Sequence, residues 1–120
     1  MDKTFLLLGS VSAFLAVAIG AFGAHGLRAR LSPDMMAVFQ TGVQYHMYHA
    51  LALILVAAIL GHLSGWLIQT AGWCFLAGIV FFSGSLYLLA VTGVTMLGAI
   101  TPIGGLLFLA GWACLAFAAV

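Results

Sequence analysis

The sequence predicts an all-α fold: an integral membrane up-down four-helix bundle, its second helix extended by an amphipathic interfacial turn. Three observations carry this. The first is composition, with 66% of the 120 residues hydrophobic and 4% charged, where a soluble domain carries about 25% charged residues. The second is the placement of charge. Asp2, Lys3, Arg28, Arg30 and Asp34 are the full set, and no Asp, Glu, Lys or Arg follows position 34. The third is a division into four apolar segments, each long enough at about 1.5 Å per residue to cross about 30 Å of hydrocarbon. A chain so poor in charge has no water-facing surface to fold behind, so the membrane class follows. Its length suits a single transmembrane domain over residues 1–120.

The first segment covers residues 4–24. Lys3, an apolar core and the small residues of AFGAHG imitate a signal peptide. Phe5 to Ala24 is 20 residues, however, and signal cores run to about 7–15, so a retained helix is expected. After Arg28 and Arg30, LSPD opens the second helix near 33: Ser32 can cap free amides, and Pro33 suits the first helical position. From there to Gly61 the helix would be about 43 Å long against about 30 Å of hydrocarbon. Its beginning, DMMAVFQTGVQ, is amphipathic, with Met36, Phe39, Val43 and Met47 on one side. Those turns are expected at the interface, with a bend at Gly42 and the span proper over 42–61. The third span covers 66–91 and ends in the TGVT turn, and the fourth covers 98–120.

Short loops pair neighbouring helices antiparallel, and in lipid small residues let them approach. Segment one offers Ser12, Ala16, Gly20 and Ala24; segment three Gly78, Ser85 and Thr92; segment four Gly104, Gly111 and Ala118. Their partners could lie within the chain or in another copy.

Polar residues concentrate in GVQYHMYHALAL, residues 42–53. Counting from the helix ends places His46, His49, Ser83, Ser85 and Tyr87 in one leaflet, with His25 and Thr101 at its rim. A helix polar on two sides cannot show either to lipid without penalty. The candidate ligand-binding cluster is therefore His25, Gln44, His46, Tyr48, His49, Ser83, Tyr87 and Thr101, forming the mouth of the bundle. Ser83, Tyr87 and Thr101 are the expected partners of the histidines, with His25 closing the rim. No carboxylate is at hand to hold an imidazolium, so each ring should offer one donor and one acceptor nitrogen. The plainer alternative is that Tyr and His anchor at headgroup level and the hydroxyls bond backbone.

Other chemistries find less support. His46 and His49 are helical neighbours at i and i+3, but zinc takes three or four ligands, and only His25 could complete a haem pair. Neither a metal nor a cofactor is expected. Cys74 and Cys114 lack the C-x-x-C spacing and suit small apolar roles. Ser83 and Ser85 have no nucleophile-elbow context and no acid, so no catalytic residue is assigned and the protein is not expected to be an enzyme. A dimeric transporter lacks an embedded acid and an inverted repeat. The net charge of +1 gives nucleic acid nothing to bind.

The blocks GAFGAHGL (20–27), FQTGVQYHMYHALAL (39–53), FSGSLYLLAVTG (82–93) and LGAITPIGGLLFLAGW (97–112) extend over most of the chain, between residues 20 and 112. Through them it resembles family 423 of domains of unknown function, small membrane proteins of the YgdD/YwdK type with mitochondrial relatives. The resemblance implies a four-helix membrane protein and no particular activity. The favoured function is a membrane binding module with a polar pocket for a lipid, a quinone or a similar amphiphile. An assembly or scaffold protein is the alternative. Expected partners are the lipid bilayer, a bound lipid or quinone, and a second copy or a larger membrane complex. The expected location is the bacterial cell (inner) membrane. Arg28 and Arg30 against Lys3 place both termini on the non-cytoplasmic side.

Overall fold

A computed structural model describes residues 3–120; Asp2, counted above among the charges, lies outside them. Four helices long and apolar enough to cross a membrane follow one another: α1 Thr4–Leu27, α2 Pro33–Leu60, α3 Trp66–Thr92 and α4 Thr95–Ala118. No strand occurs among the described residues. The ends follow local chemistry. Ser32 Oγ accepts from the Met35 amide at 3.2 Å and Pro33 opens α2. Asp34 in the first turn faces the positive end of the helix dipole. At the end of α3, Gly93 turns left-handed (φ 73°) and donates its amide to the Leu89 carbonyl, a conformation that glycine adopts without penalty.

Two helices are irregular. α1 closes with a π-helical turn at Gly23–Leu27, and α3 is interrupted by another at Ile79–Ser83. α4 begins as a 3₁₀ turn, Thr95–Ala99. By contrast α2 is α-helical without a break through Gly42, where a bend was expected. Gly42 is a packing contact instead: a Cβ there would stand 2.9 Å from the Tyr87 ring. The amphipathic first turns of α2 pack on the end of α1, with the Phe39 ring seated on Gly23.

α1 packs chiefly along α2, and α4 along α3, so α2 and α3 form the inner pair. The body measures 47 × 26 × 17 Å. Rings on glycines recur as the packing device: Phe5 on Gly72, Phe75 on Gly111 and Phe108 on Gly78. Gly104 approaches α3 most intimately, its missing side chain replaced by the backbone of Phe82. Gly20, Gly78, Gly104 and Gly111 therefore meet partners within the chain. The larger core cluster gathers Phe5, Leu53, Val56, Ile68, Phe75 and Phe108, and a smaller one Leu27, Phe39 and Ala90 towards the other end. The buried polar residues include Ser12, His46, His49, Ser83 and Ser85.

Candidate functional site

His46 lies near the middle of α2, 13 residues after Pro33 and 14 before Leu60. Its ring is 5% exposed and bonded at both nitrogens. Nδ1 stands 2.8 Å from the Tyr87 hydroxyl on α3, and Nε2 3.0 Å from the Ser12 hydroxyl on α1. One imidazole thus joins three helices. Two packing features make this approach feasible. Gly42, one turn earlier, admits the Tyr87 ring, and Ser12 is small enough to bring α1 close.

His49 is equally buried and sits in a different setting. Its Nδ1–H donates to the Tyr45 carbonyl at 2.8 Å, one turn back on its own helix. Nε2 accepts from Trp112 Nε1–H of α4 at 3.1 Å. A carbonyl can only accept and an indole can only donate, so these partners fix the ring as the Nδ1–H tautomer with no hydrogen-bonding capacity left on either nitrogen. The ring also stacks on Phe108, with centroids 3.6 Å apart and planes 6° from parallel.

The remaining candidates divide. Ser83, fully buried, donates to the Gly42 carbonyl at 2.7 Å. Thr101 pairs with Ser85 at 2.6 Å, and Ser85 donates to the Phe82 carbonyl at 2.8 Å. So Tyr87 meets a histidine, whereas Ser83 and Thr101 bond elsewhere because backbone and hydroxyl partners lie closer on the facing helices. His25 is exposed and bonds its own helix through the Ala21 carbonyl at 3.0 Å, so it does not close a rim. Gln44 is exposed in a cleft of about 490 Å³ between α1 and α2, shared with Gln40 and Gly23. Tyr48 is 54% exposed. The single mouth expected from the sequence is replaced by separate hydrogen-bonded sets on different sides of α2.

Three participants were not among the sequence candidates. Ser12 stood in a small-residue stripe, and Trp112 and Phe108 in an apolar run. No local pattern shows which ring an indole will meet across the bundle. Around His49, Tyr45, Tyr48, Phe82, Phe108 and Trp112 line a cleft of about 530 Å³ between α2 and α4, floored at Gly105. A second crevice, about 310 Å³, runs between α1 and α3 and has Ser12, His46 and Tyr87 in its wall. Among the described residues, no group of three or more His, Cys, Asp or Glu is placed to hold a metal ion.

Comparison with known proteins agrees with this architecture. The family model described as "Protein of unknown function (DUF423)" matches residues 19–105. The chain is 54% identical over 119 residues to UPF0382 membrane protein YwdK of Bacillus subtilis, covering 98% of this chain and 97% of that one. It is 52% identical over 113 residues to UPF0382 membrane protein SH2409 of Staphylococcus haemolyticus, covering 92% and 89%. A Staphylococcus epidermidis relative, UPF0382 membrane protein SERP0230, is 50% identical over 119 residues, covering 97% and 94%. No solved structure matches the chain.

Proposed function

The chain belongs to the DUF423 family of membrane proteins, and on that premise we propose that it is a membrane binding module. It takes up an amphiphile, a lipid or a quinone, between α2 and α4. One observation carries this reading: the cleft of about 530 Å³ is walled by Tyr45, Tyr48, Phe82, Phe108 and Trp112 around the fixed ring of His49. Ligand sites are commonly about 300–1,000 Å³, mostly apolar, with a few polar groups that orient the ligand. Here those groups are the Tyr45 and Tyr48 hydroxyls, which make no hydrogen bond among the described residues. His49 serves the wall by holding Trp112 and Phe108 in place. The module binds its ligand and does not transform it.

We place the protein in the bacterial cell (inner) membrane with both termini on the non-cytoplasmic side, since Arg28 and Arg30 of the α1–α2 connection outnumber Lys3. A carboxy-terminal reporter active only in the cytoplasm should stay silent; strong activity reverses the orientation.

Native mass spectrometry of the protein released in native lipid tests the binding itself. A stoichiometric lipid or quinone is expected, with its affinity lowered about 2- to 10-fold by each lost hydrogen bond in the Tyr45→Phe/Tyr48→Phe variant. Recovery of only a second copy or of another protein, with no small amphiphile, would point to assembly instead and overturn the reading.

A further inference from the structure

Ser12, His46 and Tyr87 carry three hydrogen-bonding protons between them, counting one on the imidazole, and the two bonds that join them use two. If Nε2–H donates to Ser12, then the Tyr87 hydroxyl donates to Nδ1 and the Ser12 proton is left over. In the other tautomer Nδ1–H donates to Tyr87, Ser12 donates to Nε2, and the Tyr87 proton is left over. Either way one hydroxyl lacks an acceptor within the set. The other two buried serines differ, since Ser83 and Ser85 give their protons to backbone carbonyls. In a membrane no water is at hand to take the surplus proton.

Both ends of the set open on the same place. The crevice between α1 and α3, about 310 Å³, is lined by Ser12 and Tyr87 with apolar walls that include Leu8, Leu15, Leu76 and Val80. One wall contains the start of the π-helical turn Ile79–Ser83, a kind of irregularity found frequently at functional sites. The walls hold no charge and the floor offers one donor. That combination recognises an acceptor on an otherwise apolar molecule.

We propose that the Ser12–His46–Tyr87 set is the polar floor of a second amphiphile site, donating one hydrogen bond to a carbonyl oxygen of a ligand lodged between α1 and α3. It stands apart from the α2–α4 cleft and does not depend on it. The carbonyl could belong to a quinone ring or to the ester of a bilayer lipid. Depth favours the quinone. Tyr87 and Ser12 lie about 8 and 12 Å along their helices from the nearer ends, inside the boundary of the hydrocarbon layer, near which lipid esters stay.

The test uses the full chain in nanodiscs and infrared difference spectra of ¹³C-labelled carbonyls. One arm adds a short-tailed benzoquinone labelled at its ring carbonyls; the other uses lipid labelled at its ester carbonyls. A quinone carbonyl band moved to lower wavenumber is expected, retained in Tyr45→Phe/Tyr48→Phe and lost in Ser12→Ala/Tyr87→Phe. The same behaviour of the ester band instead would identify a bilayer lipid as the source. Should the double variant fail to fold, the Tyr45→Phe/Tyr48→Phe protein still decides, because there a quinol dimethyl ether, whose aryl ether oxygens are poor acceptors, should bind about 2- to 10-fold more weakly than the quinone. No shifted band in either arm, a shift that survives loss of both hydroxyls, or equal binding of the ether would overturn the proposal.

Discussion

On α2, the side carrying His46 turns towards α1 and α3, and the side carrying His49 turns towards α4. Both rings are nearly inaccessible, at 5% and 4% exposure, and both have two hydrogen bonds. The partners make the difference. His49 meets a pure acceptor and a pure donor, so its tautomer is set and its hydrogen bonding complete. His46 meets two hydroxyls, each able to donate or accept, so its tautomer is free and a proton is left over. Aromatic stacking adds to the contrast: Phe108 lies flat on His49 at 3.6 Å, while the nearest ring to His46, Tyr87, is tilted 50° at 5.9 Å. Burial alone therefore does not rank intramembrane polar residues. The count of donors against acceptors does, because the hydrocarbon supplies neither.

The largest expected effect separates the two sites by stability. His46→Leu removes the partner of two groups on two other helices. Each group left unsatisfied costs about 1–3 kcal/mol. His49→Leu strands only Trp112 Nε1–H, on a side chain 43% exposed in the wall of the α2–α4 cleft. Thermal unfolding in detergent should therefore rank the variants parent, His49→Leu, His46→Leu in falling stability. Equal melting of all three would mean that the His46 links contribute nothing to holding α1, α2 and α3 together.

Much of the architecture was legible beforehand, because hydropathy over about 20 residues reports on the solvent and not on any particular neighbour. The four spans, the Ser32 cap and the turn after Thr92 follow from such local signals. Helix rotation was harder to read. On α1 and α4 nearly every side is apolar, so the usual 3.6-residue stripe that tells inside from outside is faint. Hence Ser12 passed for a packing residue, and Trp112 did not stand out from its apolar run. Counting depth from the helix ends brought Tyr87 level with the histidines, and the structure joins it to His46. The same counting placed Ser83 there too, yet its hydroxyl lies against Gly42, whose bare backbone lets α3 close in. The π-helical turns left no sign in GAHGL or IVFFS, since an added residue in a helix of apolar side chains changes no composition.

A smaller effect probes the saturated side. His49 and Trp112 are joined by one hydrogen bond at 3.1 Å, and their rings lie 5.9 Å apart at 61°. Trp112→Phe keeps a ring against Phe75 but removes the donor, while His49→Leu removes the acceptor together with the stack on Phe108. The two single losses should not be equal, because an aromatic pair is worth about 0.5–1.5 kcal/mol in its own right and goes only with His49. Their sum should exceed the loss in the double variant, since the shared bond is counted twice. Interhelical hydrogen bonds in membranes couple by about 0.6 kcal/mol on average and by up to about 1.7 kcal/mol. A double-mutant cycle on unfolding in detergent is expected to return a coupling in that range. The corresponding cycle for Ser12→Ala and Tyr87→Phe asks a different question, because these residues touch through His46 and not directly. There the tautomer can turn its N–H to whichever hydroxyl survives, so either single change strands only an acceptor nitrogen, and the double change strands the donor as well. The loss in that double variant should therefore exceed the sum of the single losses, the reverse of the sign expected for His49 and Trp112. Couplings of the same sign at the two sites would show that His46 is as fixed as His49, and that its two hydroxyl partners do not exchange roles.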